Sequence, residues 1–188
     1  MNSNFVKPVY IFVDFSNFHY YLSQNKWRIN WKKFHDYMAQ SFGKIEVFYY
    51  DGILSNKSYL DRYPADNVED FNEYKKNKEG YFRSLKTLGF KVRTKPVGST
   101  YDSTSGKKKH KCNFDVELTV DAIDNLNNYD EMILCSGDGD FVRLLKYLKG
   151  KYKKTIVLAP GDRLNSELEK TANQTLHLGQ IRQLIEDK

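Results

Sequence analysis

Val9-Tyr10-Ile11-Phe12-Val13 is an unbroken apolar run of strand length, and Asp14-Phe15-Ser16-Asn17 stops it with a polar turn. A run of this kind reads as a buried strand, and similar runs recur along the chain between helical patterns. Trp31–Met38 has helical spacing, and Lys44–Tyr50 (KIEVFYY) is a second strand. Pro64 opens a long polar helix, roughly Asp66 to Leu88, with Gly89 as its C-cap. Phe90–Val97 is a third, more polar strand suited to a sheet edge, because Pro96 lacks a donor. Gly98–Lys111 reads as a strongly basic loop. Asn113–Leu126 is helical, with Val116, Val120 and Ile123 on one face. Met132–Cys135 is a short buried strand, Gly139–Leu148 a helix and Thr155–Ala159 a strand. Ser166-x-x-Glu169 is a capping box for the next helix, and Thr175–Leu178 is the last strand. Alternation of this kind predicts an α/β fold, an open and mainly parallel sheet with helices on both faces. No internal repeat or linker interrupts residues 1–188, so a single domain is expected.

Composition narrows the function classes. Thirty Lys and Arg against twenty-four Asp and Glu leave a net charge of +6, which permits a polyanionic partner without requiring one. With 40% hydrophobic and 29% charged residues the chain is of ordinary globular composition, not a disordered one. No apolar run approaches the ~20 residues of a membrane span. Met1–Lys7 lacks the basic start and longer apolar stretch of a signal peptide. Cys112 and Cys135, the only cysteines, make neither a disulfide framework nor a CxxC site. A soluble protein of the reducing cytoplasm is expected, and self-association is left open. His19, His35, His110 and His177 show no HExxH or ligand-like spacing, and no GxSxG elbow marks a nucleophile.

The carboxylates at the strand ends carry the chemistry. In open α/β sheets ligands bind outside the carboxyl ends of the strands, where strand order reverses. Asp14 follows the first strand directly, Asp138 and Asp140 follow the strand ending at Cys135, and Asp115 stands in the first turn of the helix that begins near Asn113. Clustered carboxylates repel unless protonated or neutralised. Hard divalent cations such as Mg²⁺ and Mn²⁺ take such oxygen ligands, polarise a phosphoryl oxygen and acidify a bound water. Taken singly, each aspartate is better read as a helix cap or a partner of the helix dipole. Taken together, they favour a metal site. Ser136-Gly137-Asp138-Gly139-Asp140-Phe141 fails the dinucleotide fingerprint, since Val142 occupies the third glycine position, and no GxxxxGK[ST] occurs. Asp14-Phe15-Ser16 is not an Asp-x-Asp pair, which weakens a haloacid-dehalogenase-type phosphatase.

Val13-Asp14-Phe15-Ser16-Asn17, then Asp115 within KCNFDVELTVDAI, then SGDGDF resembles the NYN domain, in particular its LabA-like branch among the PIN-like nucleases. The resemblance runs from Tyr10 to about Leu178. It implies a Rossmann-like three-layer α/β/α sandwich with a mainly parallel central sheet, and divalent-metal-dependent ribonuclease activity. Carried over by motif, Asp14, Asp115 and Asp138 are the main metal-site acids, with Asp140 beside them. Asn17 orients the Asp14 loop or a water, and Ser136 shapes the turn. Cys112 stands where such sequences commonly have Lys, Gly139 where Ser is common, and Asn173 where Asp is frequent. Asp121 matches a recurrent acid but lies ~120° around an ideal helix from Asp115, so it ranks below the other four.

Lys107-Lys108-Lys109-His110-Lys111 comes just before Asp115. A basic segment beside an acidic pocket would hold a phosphate backbone, although lysine runs are more often solvated loops. Tyr101 and the Tyr49-Tyr50 pair could stack unpaired bases, with core burial as the other reading for Tyr50. The leading expectation is a metal-dependent nuclease, an (endo)ribonuclease using Mg²⁺ or Mn²⁺ on single-stranded or structured RNA. A non-catalytic RNA-binding or adaptor module on the same fold is the alternative, and a small-phosphoester phosphatase a weaker third.

Overall fold

The computed structural model describes residues 6–102 and 107–187, and of residues 99–102 and 107–111 the backbone alone. The Val9–Val13 run forms β1 (Val9–Asp14), every residue of which is buried. It pairs in parallel on both sides, with β2 (Ile45–Leu54) from Val9↔Ile45 to Asp14↔Tyr50, and with β5 (Glu131–Cys135) from Tyr10↔Met132 to Val13↔Cys135. Beyond β2 lie β3 (Lys91–Asp102) and β4 (Lys107–Lys111), and beyond β5 lie β6 (Lys154–Ala159) and β7 (Gln174–His177). The sheet order is therefore β4-β3-β2-β1-β5-β6-β7, parallel throughout except for β4, which is antiparallel to β3.

Alternation along β1 splits the core in two. Val9, Ile11 and Val13 pack with α1 (Phe15–Gln24), α2 (Trp31–Phe42), α4 (Val68–Thr87) and α8 (Arg182–Ile185). Tyr10 and Phe12 pack on the other face with α5 (Asp115–Asp124), α6 (Val142–Gly150) and α7 (Ser166–Thr171). A short helix, α3 (Asn56–Arg62), follows β2. The result is the three-layer sandwich expected. Cys135 is fully buried in β5, and Gly89 takes a φ of +88° just after α4, where a side chain would be strained. Pro96 pairs with Ile53 on one side, while β4 pairs only from Gly98 onward, so the proline lies on an open edge.

Four local readings are corrected. The polar stretch 14–17 is not a free turn, because α1 begins at Phe15. Gly98–Lys111 is not all loop, since Gly98–Asp102 and Lys107–Lys111 pair as strands. β3 runs past the last β2 partner, Leu54↔Val97, and its exposed backbone groups take up β4 regardless of side-chain polarity. The helix at 166 is capped by Asn165, whose side chain accepts from Glu167 N and Leu168 N, with Ser166 already inside the helix. Finally, the Val116, Val120 and Ile123 face of α5 is exposed, and Leu118 and Ala122 enter the core instead.

That last correction is directly measurable. Leu118→Ala should cost about 2–5 kcal/mol, the range for emptying a buried leucine site. Val120→Ala should stay within about 0.5 kcal/mol, as surface changes do. Chemical denaturation of both variants checks the assignment, and reversed costs would mean that the helix is rotated.

Candidate metal centre

β1 and β5 are neighbours at the point where the chain's direction across the sheet reverses. From β1 the strands proceed to β2 and β3, and after β4 the chain returns to the other side of β1. Their carboxyl ends therefore open the crevice in which such folds bind ligands. Asp14 closes β1 and is only 5% exposed. Burial pushes its carboxyl above the ordinary range. The Ser16 and Ser136 hydroxyls pull it back, and the nearby charge of Asp115 adds to the rise. Ser16 Oγ donates to Asp14 Oδ1 at 2.6 Å and Ser136 Oγ donates to Oδ2 at 3.1 Å. Asp14 makes no side-chain cap to the helix that follows it.

Ser136, fully buried, also accepts from Asp138 N at 3.2 Å, so one hydroxyl ties the acids of two strand ends together. Asn17, from the first turn of α1, accepts from Gly137 N at 3.0 Å. Its side chain thus holds the turn after β5, while its backbone amide helps to pull the Asp14 carboxyl back down. A side chain at Gly137 would run into the Arg163 carbonyl, and Gly137 O itself accepts from Asn165 N at 3.0 Å. Only glycine allows that approach. The turn then delivers Asp138, whose side chain accepts from Asp140 N at 3.1 Å, and Asp140 itself. Just ahead of α5, Asn113 grips Asp115 twice: its Oδ1 accepts from Asp115 N at 2.7 Å and its Nδ2 donates to Asp115 Oδ2 at 2.6 Å.

These devices converge. Asp115, Asp138 and Asp140 each present a carboxylate oxygen, all within 4.8 Å of one another. Asp115 and Asp138 are half-buried and Asp140 is exposed. Three hard oxygen donors at this spacing suit a divalent cation of the Mg²⁺ or Mn²⁺ type. Asp14 lies beside this group, close enough to feel Asp115, with its oxygens occupied by the two serines. Asp121 is not brought in. Arg93 Nε and a terminal guanidinium nitrogen donate to its two oxygens at 3.0 and 3.2 Å, and Tyr50 Oη donates at 2.8 Å. Tyr49 and Tyr50 are fully buried, so neither is available to stack a base. The backbone of Lys107, Lys108, Lys109 and Lys111 forms β4, and their side chains, with that of Tyr101, lie outside the described residues. Ser16 and Asn113 were not foreseen. Each is a short polar residue within two positions of a site aspartate, and that proximity is the signal that could have found them.

The family model of the NYN domain matches residues 8–179. The chain belongs to the NYN domain family. This NYN domain is 27% identical to the Low amplitude and bright protein LabA of Synechococcus elongatus, over 94% of its own length and 86% of that protein. Its fold is also that of a solved protein of unknown function from Vibrio parahaemolyticus, with a TM-score of 0.71 and 24% identity over 95% of this chain and 96% of that one. The family is one of PIN-like nuclease fold, and the acidic cluster of this NYN domain lies at the switch point of that fold.

Repulsion within the cluster has a measurable sign. Asp138→Asn keeps a side chain able to cap the turn and removes one charge. In EDTA its melting midpoint should rise by roughly 2–4 °C, corresponding to ~1 kcal/mol of relieved repulsion in a domain of this size. Mn²⁺ should raise the wild-type midpoint more than that of the variant. A destabilised variant, with no metal response in either protein, would make these aspartates purely structural.

Proposed function

We propose that this NYN domain is a divalent-metal-dependent ribonuclease that hydrolyses phosphodiester bonds in single-stranded or structured RNA. The observation that carries the reading is the set of three carboxylates within 4.8 Å at the switch point, with the buried Asp14 at their side. A degenerate binding module gains nothing from keeping mutually repelling acids together, whereas a cation site needs them.

In this reading Asp115, Asp138 and Asp140 hold Mg²⁺ or Mn²⁺, and Asp14 completes the acidic set. A cation bound there supplies Lewis-acid polarisation of a phosphoryl oxygen and lowers the pKa of a water. The protein's own residues supply the positioning. Asn113 fixes Asp115, the Asp140 amide fixes Asp138, and Ser136 fixes Asp14 against the Asp138 turn. Such preorganisation removes the cost of gathering the charges at the moment of reaction. Lys107, Lys108, Lys109 and Lys111 hold the phosphate backbone, since β4 runs on into Asp115 through three residues. The same reading takes residues 1–188 as one domain acting in the cytoplasm.

Labelled single-stranded RNA and DNA, incubated with the protein and Mn²⁺, Mg²⁺ or EDTA, test the chemistry. Cleavage should require the cation and prefer RNA. Asp14→Asn and Asp115→Asn should each slow it on the order of a hundredfold or more while leaving RNA affinity in EDTA undiminished. Full activity in EDTA or in these variants would overturn the reading.

The basic strand is tested separately. Replacing Lys107, Lys108, Lys109 and Lys111 by Ala should weaken binding and flatten its salt dependence, by about 0.7 in log–log slope for each lost contact with a single strand. Turnover at saturating RNA should persist. An unchanged slope would return the run to a solvated surface.

A further inference from the structure

A second feature begins one residue after Asp14, on the opposite face of the sheet. A cavity of about 750 Å³ opens between α1, residues 26–29 and α4, with Phe15, Trp31 and Tyr81 among its walls. That volume falls within the ~300–1,000 Å³ of ordinary ligand sites. Its aromatic wall is built as a unit. Trp31 meets Phe15 edge-on at 6.0 Å and Tyr49 at 5.0 Å, and the Tyr49 and Tyr81 hydroxyls are 2.9 Å apart.

The same cavity is cationic. Lys26, Arg28 and Lys78 line it, and none of its lining residues is acidic. Lys78 is fixed, with its ammonium 2.6 Å from Asp51 Oδ2 and 5.2 Å from the centre of the Phe82 ring. Lys26 and Arg28 are exposed and make no ion pair among the described residues. Trp27, 6% exposed, is another lining residue, and its indole N–H is buried with no acceptor among the described residues.

We propose that this cavity is a nucleotide subsite, in which a base of single-stranded nucleic acid stacks on the aromatic wall while Lys26 and Arg28 hold the adjoining phosphates. The inference rests on the nuclease reading and extends it to where the strand is gripped. An apolar ligand would leave the cations without a partner, and an inorganic anion would leave the aromatic wall bare. A nucleotide unit uses both, as single-strand binding sites do. Because Phe15 follows Asp14 directly, a strand held here is delivered to the strand-end carboxylates.

Trp27 and Trp31 are the only tryptophans and both line the cavity, so a change of their fluorescence reports on it. The whole protein in EDTA is titrated with an oligoadenylate RNA pentamer, with AMP, and with an oligo-aspartate peptide of equal charge. The pentamer should quench saturably, AMP more weakly and the peptide least. Ser23→Glu places a charge on an exposed lining position, and Lys26→Asn with Arg28→Gln removes two, with Asn tolerating the φ of +52° at position 26. With unchanged circular dichroism and melting midpoints, these variants should bind the pentamer on the order of tenfold more weakly. Absent quenching, unaltered affinity in the variants, or AMP or the peptide binding as well as the pentamer would overturn the subsite. RNA cleavage by the same preparations separates the two readings. Intact cleavage without quenching removes the subsite alone, while saturable quenching in a protein that cuts nothing supports the subsite and removes the nuclease.

Discussion

A carboxylate held out of water at the end of β1 constrains everything around it. β1 is covered on both faces and paired on both sides, so its last residue, Asp14, enters the interior with the strand. An ionised carboxylate there is costly unless hydrogen bonds replace its water. Ser16 supplies one from the start of α1, and Ser136 supplies another from the end of β5. The second bond does more than solvate Asp14. It locks the ends of two adjacent strands at a fixed offset, and the Asp138 amide donating to the same hydroxyl sets where the next turn begins.

The turn at 137–140 is thereby held from three directions. Asn17 takes the Gly137 amide, Asn165 donates to the Gly137 carbonyl, and Asp138 takes the Asp140 amide. Asn165 also caps α7, so the site's turn and a peripheral helix share one residue. Backbone amides and short polar side chains thus absorb the polar load, which leaves carboxylate oxygens of Asp138 and Asp140 facing that of Asp115. Small contacts of this kind hold the three in place against their mutual repulsion.

Legibility in the sequence followed the physics. β1 and β5 were readable because a strand buried on both faces has no alternation to mistake; Asp14, Asp138 and Asp140 were readable because they follow those strands, and Asp115 because it opens a helix. The orientation of α5 was not. Val116, Val120 and Ile123 share helical spacing with a competing pair, Leu118 and Ala122, and periodicity alone has no means of ranking them. Tertiary partners decide, since Phe114 precedes the helix in the core and the buried Tyr129 donates to the Ala122 carbonyl. β4 was hidden for a different reason: a lysine run gives no apolar signal, and its pairing depends on the length by which β3 outruns β2. Asp121 was drawn away from the cluster by Arg93, a residue on another strand, and no local pattern announces such a partner. The readings of α5, β4 and Asp121 failed on contacts distant in sequence, whereas the start of α1 and the Asn165 cap are local features.

The two proposed halves of the site are kept apart by the same alternation that splits the core. Asp14 shares the face of Tyr10 and Phe12 and looks toward α5, while Phe15 packs against the opposite cluster with α2. The acidic cluster and the cations of the cavity, Lys26 and Arg28, therefore do not share one crevice. Here the sheet stands between them. Lys78 is paired with Asp51, while Lys26 and Arg28 remain unpaired among the described residues. A phosphate chain crossing the top of β1 therefore meets attraction on one side and, on the other, an acidic cluster that repels it in the absence of a cation. That asymmetry makes affinity and cleavage separable, because the groups that would grip the strand are not the groups that would hold the metal.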